Sequence, residues 1–256
     1  VKEVKTMIYN FGNTSSIDSS FDDVTRKLTV SDDTVIDESL VRKMKDMRNL
    51  FRDATGFDDE TELYYMYNGI YRQQHKAFFK DQHIKYEYTV LMPMLFNGEC
   101  MKAHGHIHGF NPIRQARHIE AYEILLGEGY FELFTYVENE LQVLMIQVKQ
   151  GDYLIIPPDY YHLSVNSGSI PFIFGDLIIE GAESDYGPLK TKNGAPLYVL
   201  KDASGNVSFQ FNENYLGHPL NISHLTVETL PWANPLAKIP LYAHFITNPE
   251  KFAFLK

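Results

Sequence analysis

Cysteine is almost absent from this chain. Among 256 residues there is one, Cys100, so no disulfide can form within the chain, and a reducing cytoplasm is the expected setting. A run of about 20 apolar residues, the length a membrane-spanning helix needs, is also missing. The opening stretch VKEVKTMIYNF lacks the apolar core of a signal peptide. Positive charge is in short supply: 23 Lys and Arg face 33 Asp and Glu, a formal net charge of −10. That balance argues against nucleic acid or an anionic membrane as partner of the surface as a whole. There is no internal repeat and no low-complexity segment, and tryptophan occurs once, at Trp232.

Other aromatics are abundant, with 17 Tyr and 17 Phe. They fall in short runs that alternate apolar and polar residues, the period of half-buried strands. Strands are expected at 62–67, 86–95, 119–126, 129–137, 140–148, 153–156, 162–166 and 171–180. The breaks between them carry Gly, Asn, Pro or Asp. A further hairpin is expected over 197–212, turning at Ser204-Gly205-Asn206. Strands so closely spaced, with no helices between them, indicate an antiparallel sandwich or barrel. Upstream, Val41, Met44, Met47, Leu50 and Phe51 stand at helical spacing, which predicts a helix over 33–54. The proline-rich stretch 215–256 reads as an irregular tail packed on the barrel or on a partner subunit. The expected organisation is an N-terminal arm and helix (1–60), a barrel (61–212) and a C-terminal extension (213–256).

Four of the ten histidines fall within 104–118, and the core of that group is His104-Gly105-His106-Ile107-His108. Alternate residues of a strand share one face, so two imidazoles at i and i+2 can grip one ion. Two such pairs overlap here, His104 with His106 and His106 with His108. A hydrogen-bonded surface or core role is the competing reading for any one of them. Downstream stand Glu120 and, after six intervening residues, Gly127, and then Gly151, Pro157, His162 and Asn166. Neutral imidazoles together with a carboxylate suit Fe²⁺, Mn²⁺, Zn²⁺, Ni²⁺ or Co²⁺, with positions left open for water or substrate.

These spacings resemble the two motifs of the cupin superfamily, which implies an all-β cupin barrel, an antiparallel double-stranded β-helix or jelly roll. In cupins the first motif supplies two His and one Glu, and the second supplies a third His. The gap 109–119 is longer than usual and reads as a loop inserted between two barrel strands.

Further strings are similar to one branch, the cupin-type phosphoglucose isomerases of archaea and some bacteria. They are Thr89-Val90-Leu91, Gly105-His106-Ile107-His108, Glu120-Ala121-Tyr122, Pro157-Pro158 before His162, and Asp185-Tyr186-Gly187. The resemblance covers roughly residues 60–212. It implies interconversion of glucose 6-phosphate and fructose 6-phosphate, one divalent ion per subunit (iron first) and a homodimer. It selects His106 and His108, with Glu120 and His162, as the metal ligands, because Gly105 directly precedes the first of them. Glu120 would be the catalytic base and Tyr122 would sit beside the reacting carbons. Tyr64, Thr89, Gly105 and Tyr186 would take the sugar phosphate.

Ala103, Ile178 and Ser184 depart from the branch, which has Thr, Tyr and His there, and each change removes or weakens a donor near the expected phosphate. Arg114 and Arg117, in the inserted loop, are expected to supply replacement contacts. The alternatives are an isomerase of another, non-phosphorylated sugar, a cupin oxygenase, and a non-catalytic sugar-binding cupin. Cys100 reads as a small buried residue rather than a nucleophile.

Overall fold

The computed structural model describes residues 7–112, 115–236 and 238–256. The fold is all-β, as expected, and is built on two facing sheets. The larger has six antiparallel strands in the spatial order Tyr153–Ile156, Glu120–Leu126, Phe172–Ile179, Ile84–Leu91, Glu62–Arg72 and Thr34–Lys43. Opposite it stand Tyr161–Asn166, Glu128–Val137 and Glu140–Lys149, also antiparallel, with Leu220–Thr226 added in parallel at the edge. Leu197–Lys201 and Val207–Phe211 form the hairpin read from Ser204-Gly205-Asn206, and it joins Glu99–Cys100 in a smaller sheet.

Side-chain alternation divides the core into layers. Tyr122, Ile124 and Phe174 from the large sheet meet Phe131, Leu133 and Ile146 from the facing sheet. The opposite face of the large sheet carries Tyr86, Tyr88, Val90, Ala121 and Leu177, and it is covered in turn by the chain ends. Phe11, Ile17 and Phe21 come from the N-terminal side, and Leu241, Tyr242, Phe245 and Phe252 from the C-terminal side. Covered on both faces, Glu120–Leu126 is buried at every position. That is why its sequence, EAYEILL, does not show simple alternation.

Two expectations fail. Residues 33–54 do not form one helix: Thr34–Lys43 is a strand, followed by a single turn at Met44–Met47 and a 3-10 turn at Arg48–Leu50. The helical spacing captured only the end of the segment, where Met44, Met47, Leu50 and Phe51 are buried. Leu40 and Val41 remain 41% and 42% exposed, because the strand lies at the sheet edge. Its ladder with Glu62–Arg72 outweighs a weak helical preference. The segment 215–256 packs on the sheets as expected but is not irregular. It contributes the parallel edge strand, the helix Leu241–Thr247 and the 3-10 segment Pro249–Leu255. The backbone N–H of Leu241, at the head of that helix, donates to the buried Glu123 carboxylate at 2.8 Å.

Candidate metal centre and its cavity

The first ligand segment is held by main-chain hydrogen bonds on either side. His106 pairs with His162 by two backbone bonds, N–O 3.1 and 2.9 Å. Ile107–His108 pairs with Ser184–Asp185. Ile107 turns away into the core, so His106 and His108 share the inner face. Gly105 leaves room for its neighbours: a Cβ there would run into Cδ2 of the buried Leu189 and sit 3.3 Å from Cβ of Leu163, so any larger residue would have to displace the Leu189 side chain. Glu120 opens its strand opposite Ile156, and His162 lies in the strand that pairs with Glu128–Val137.

These elements bring His106, His108, Glu120 and His162 together, with one donor atom from each lying within 4.8 Å of all the others. His104, the rival partner of His106, is outside that group. His108 Nε2 stands 2.9 Å from Glu120 Oε2, and His162 Nε2 stands 3.4 Å from the same oxygen. Nδ1 of His106 faces the His104 carbonyl and Nδ1 of His162 faces the Tyr160 carbonyl, both at 3.5 Å. Such contacts orient each ring with Nε2 inward. Nε2 of His162 is buried with no hydrogen-bond partner, as a metal ligand would be.

Burial, reinforced by His162 and His108, holds the His106 imidazole well below its ordinary pKa and therefore neutral. Burial alone would raise the Glu120 pKa, but the hydrogen bond to His108 and the His162 ring facing the same oxygen outweigh it and hold the carboxyl well below the usual range. Three imidazoles and one carboxylate fit a divalent transition-metal ion.

The four donors line a cavity of about 290 Å³. Of the residues expected at the site, Tyr64, Thr89, Tyr122 and Tyr186 also line it, as do the three departures Ala103, Ile178 and Ser184. Tyr122 is buried, and its hydroxyl is in hydrogen-bonding reach of Glu120, which together with burial raises its pKa. Gly105 packs behind the lining. The inserted loop forms a short hairpin, Phe110–Asn111 with Ala116–Arg117. Arg117 does not line the cavity: Nη1 donates to the His108 carbonyl at 2.6 Å, and Nε lies 3.5 Å from Asp159 Oδ1. Arg114 lies outside the described residues.

Sequence reasoning missed several groups. Arg42 Nε donates to the Tyr64 hydroxyl oxygen at 3.3 Å, and the His104 backbone N–H donates to the same atom at 3.1 Å. Both lone pairs are then taken, so the Tyr64 O–H is committed as a donor. Lys85 and Glu87 line the cavity from the strand that carries Thr89, and Asp176 lines it from the neighbouring strand. Burial, reinforced by Glu120, pushes the Glu87 carboxyl up to about 7. The available signal was alternation: Lys85, Glu87 and Thr89 interleave with the apolar-face residues Tyr86, Tyr88 and Val90. Cys100 is buried as expected, and burial pushes its thiol up to about 11.

A family model described as glucose-6-phosphate isomerase matches residues 41–216. The glucose-6-phosphate isomerase of Thermococcus gammatolerans is 28% identical over 179 residues, covering 69% of this chain and 87% of the relative. That of Pyrococcus furiosus is 27% identical over 169 residues, covering 65% and 84%. Among solved structures, vicilin from Corylus avellana aligns over 52% of this chain and 34% of its own, with 11% identity and a TM-score of 0.37. The chain thus spans about a third of that protein's length. No helix among the described residues is long and apolar enough to cross a membrane.

Proposed function

This chain belongs to the glucose-6-phosphate isomerase family, and from that premise we propose that it is a metal-dependent aldose–ketose isomerase interconverting glucose 6-phosphate and fructose 6-phosphate. The observation that carries the reading is the group His106, His108, Glu120 and His162 in a cavity rimmed by tyrosine hydroxyls. Iron(II) as the resident ion and a homodimer come with the family resemblance, and a cytoplasmic setting follows from the single cysteine.

A divalent ion held by these four residues would act as a Lewis acid on the sugar carbonyl oxygen. In the aldose-to-ketose direction, the Glu120 carboxylate takes the proton from C2 and returns it to C1. One proton must also pass from O2 to O1. The Tyr122 hydroxyl, beside Glu120 and walled off from solvent, can relay it by giving one proton and accepting the other. Phe131 and Phe174 line the same space and limit water around the reacting carbons.

The phosphate is assigned to the Tyr64, Thr89 and Tyr186 end, with the Gly105 main chain behind it. Tyr64 offers a committed O–H donor, and Arg42 stands directly behind that hydroxyl. Arg42 supplies positive charge behind the Tyr64 hydroxyl, which also takes the His104 N–H next to the departure at Ala103. Arg117 instead fixes the main chain of the ligand His108.

The test is isomerisation of glucose 6-phosphate by protein of measured metal content, set against free glucose. Turnover that rises with metal occupancy and needs the phosphate is expected. Faster turnover of the free sugar would overturn the substrate assignment, and metal-loaded protein inactive on every hexose would overturn the reaction.

A further inference from the structure

The large sheet carries a second polar group that the isomerase reading leaves unused. Tyr122 pairs across the strands with Asp176, and Asp176 pairs directly with Glu87. On the next strand Tyr67 pairs with Tyr88, which sets the adjacent Asn68 opposite Glu87. All four side chains line the cavity, so a polar row crosses four strands on one face, starting beside Glu120.

Asp176 and Glu87 have an unusual environment. Asp176 is 4% exposed, and its Oδ2 is buried with no hydrogen-bond partner. Its titratable neighbours are Glu120, with which it shares a hydrogen bond, and Glu87, both carboxyl groups. Lys85 is the one lysine or arginine among the lining residues, and it sits opposite Ile178, one step along from the Asp176–Glu87 pair. A buried carboxylate without a donor is costly, and carboxylates are acceptors when ionised. What the row lacks is a partner for Asp176 Oδ2 on its cavity side, and the hydroxyls of a sugar chain, which donate and accept alike, supply one. Adjacent strands lie about 5 Å apart, so Asp176 and Glu87 stand one and two steps from Tyr122, within the length of a hexose whose first two carbons lie at Glu120. This use of the row leaves the phosphate at the Tyr64 and Tyr186 end.

We propose that Asp176 and Glu87, with Asn68, hydrogen-bond to the middle hydroxyls of the sugar chain and thereby set the enzyme's selectivity for hydroxyl configuration. This rests on the isomerase reading for the position of the reacting carbons. The substrate is then held at three places: carbonyl end at Glu120 and Tyr122, middle hydroxyls at the carboxylate row, phosphate at the tyrosines.

The test crosses enzyme variants with substrates that lack one hydroxyl. Kinetic constants are measured for glucose 6-phosphate and its 3-deoxy and 4-deoxy analogues on wild type, Asp176→Asn, Asp176→Ala, Glu87→Gln and Glu87→Ala. Wild type should lose about 10- to 150-fold in kcat/KM when the contacted hydroxyl is removed, the range for a hydrogen bond to a charged group. In at least one carboxylate variant that penalty should shrink towards one for one analogue only, a pairing that general loosening of the cavity would not produce. The Asn and Gln variants keep the shape of the site if the Ala variants fold poorly. Deoxy penalties equal in wild type and all variants would overturn the proposal. So would variants that lose bound metal while keeping the penalties, because the row would then serve the ion. If wild type does not turn over glucose 6-phosphate, the isomerase reading fails by itself, and the same crossing is read from calorimetric binding of parent and deoxy sugars.

Discussion

His106 and His162, 56 positions apart in the chain, exchange both of their main-chain hydrogen bonds. Two of the four candidate ligands are therefore neighbours by backbone pairing before any ion binds. Ring centroids of 4.3 Å between them reflect that pairing. A site ordered in this way should tolerate loss of its ion without unfolding and should be sensitive to loss of a ring.

His106→Ala and His162→Ala should each lower bound metal sharply and reduce turnover in step, since each removes a donor from a group of four. His104→Ala should retain most of the metal, because its ring lies outside the group. Metal analysis of the three purified variants checks this. Retained metal in His106→Ala with loss in His104→Ala would move the ligand register by two residues.

Glu120→Gln keeps the shape of the side chain and removes its basicity. Turnover should fall by more than about 100-fold, the lower end of general acid–base contributions. Part of the metal should remain on the three imidazoles. Single-turnover kinetics at saturating metal provide the measurement, and near-normal turnover would indicate a hydride shift between C1 and C2 in place of proton transfer.

Tyr64→Phe removes one donor to the phosphate and strands the Arg42 and His104 N–H groups that now point at its oxygen. KM for glucose 6-phosphate should rise about 10-fold or more, the loss expected for a hydrogen bond to a charged group. The change in kcat should be smaller. An equal loss on free glucose would show that the hydroxyl does not serve the phosphate.

Arg117→Ala should act on the metal and not on the phosphate. Its guanidinium holds the His108 carbonyl at 2.6 Å, and supporting contacts of this kind are worth about 10- to 100-fold in metal affinity. Metal affinity by competitive chelation should weaken while KM for the sugar phosphate holds. A raised KM with unchanged metal affinity would return Arg117 to the phosphate.

Stability should fall as pH rises. Burial pushes the Glu132 carboxyl up to about 8 against an ordinary value of 4.5, and the Leu197 N–H bonded to it only partly offsets that. The folded form then binds a proton that the unfolded chain has released, so its contribution is complete below pH 4.5 and is lost as pH climbs through about 8. Melting temperature measured between pH 5 and 8 should decline in wild type and decline less in Glu132→Gln. Parallel slopes in the two proteins would refute this.

Most strands and the candidate ligand motifs were legible in the sequence because they are local signals, although the choice of His106 with His108 over His104 with His106 came from the family resemblance. Period-two alternation is the geometry of the strand, and an i, i+2 histidine pair keeps its shared face wherever the strand is placed. Glu120 and His162 were legible for the same reason, each standing in a short motif of its own. Residues 34–43 were misread because a sheet edge, supplied by a strand 28 residues on, decided their conformation. Pairing between strands distant in the chain set Asp176 against Glu87, 89 positions earlier, and no local pattern encodes that register. It also brought Arg42 to Tyr64 across the edge ladder and turned Arg117 onto the His108 carbonyl. Tertiary structure decided these because a cross-strand neighbour is chosen by hydrogen-bond register and by burial of both sheet faces, which are properties of the assembled sheets and of no single segment.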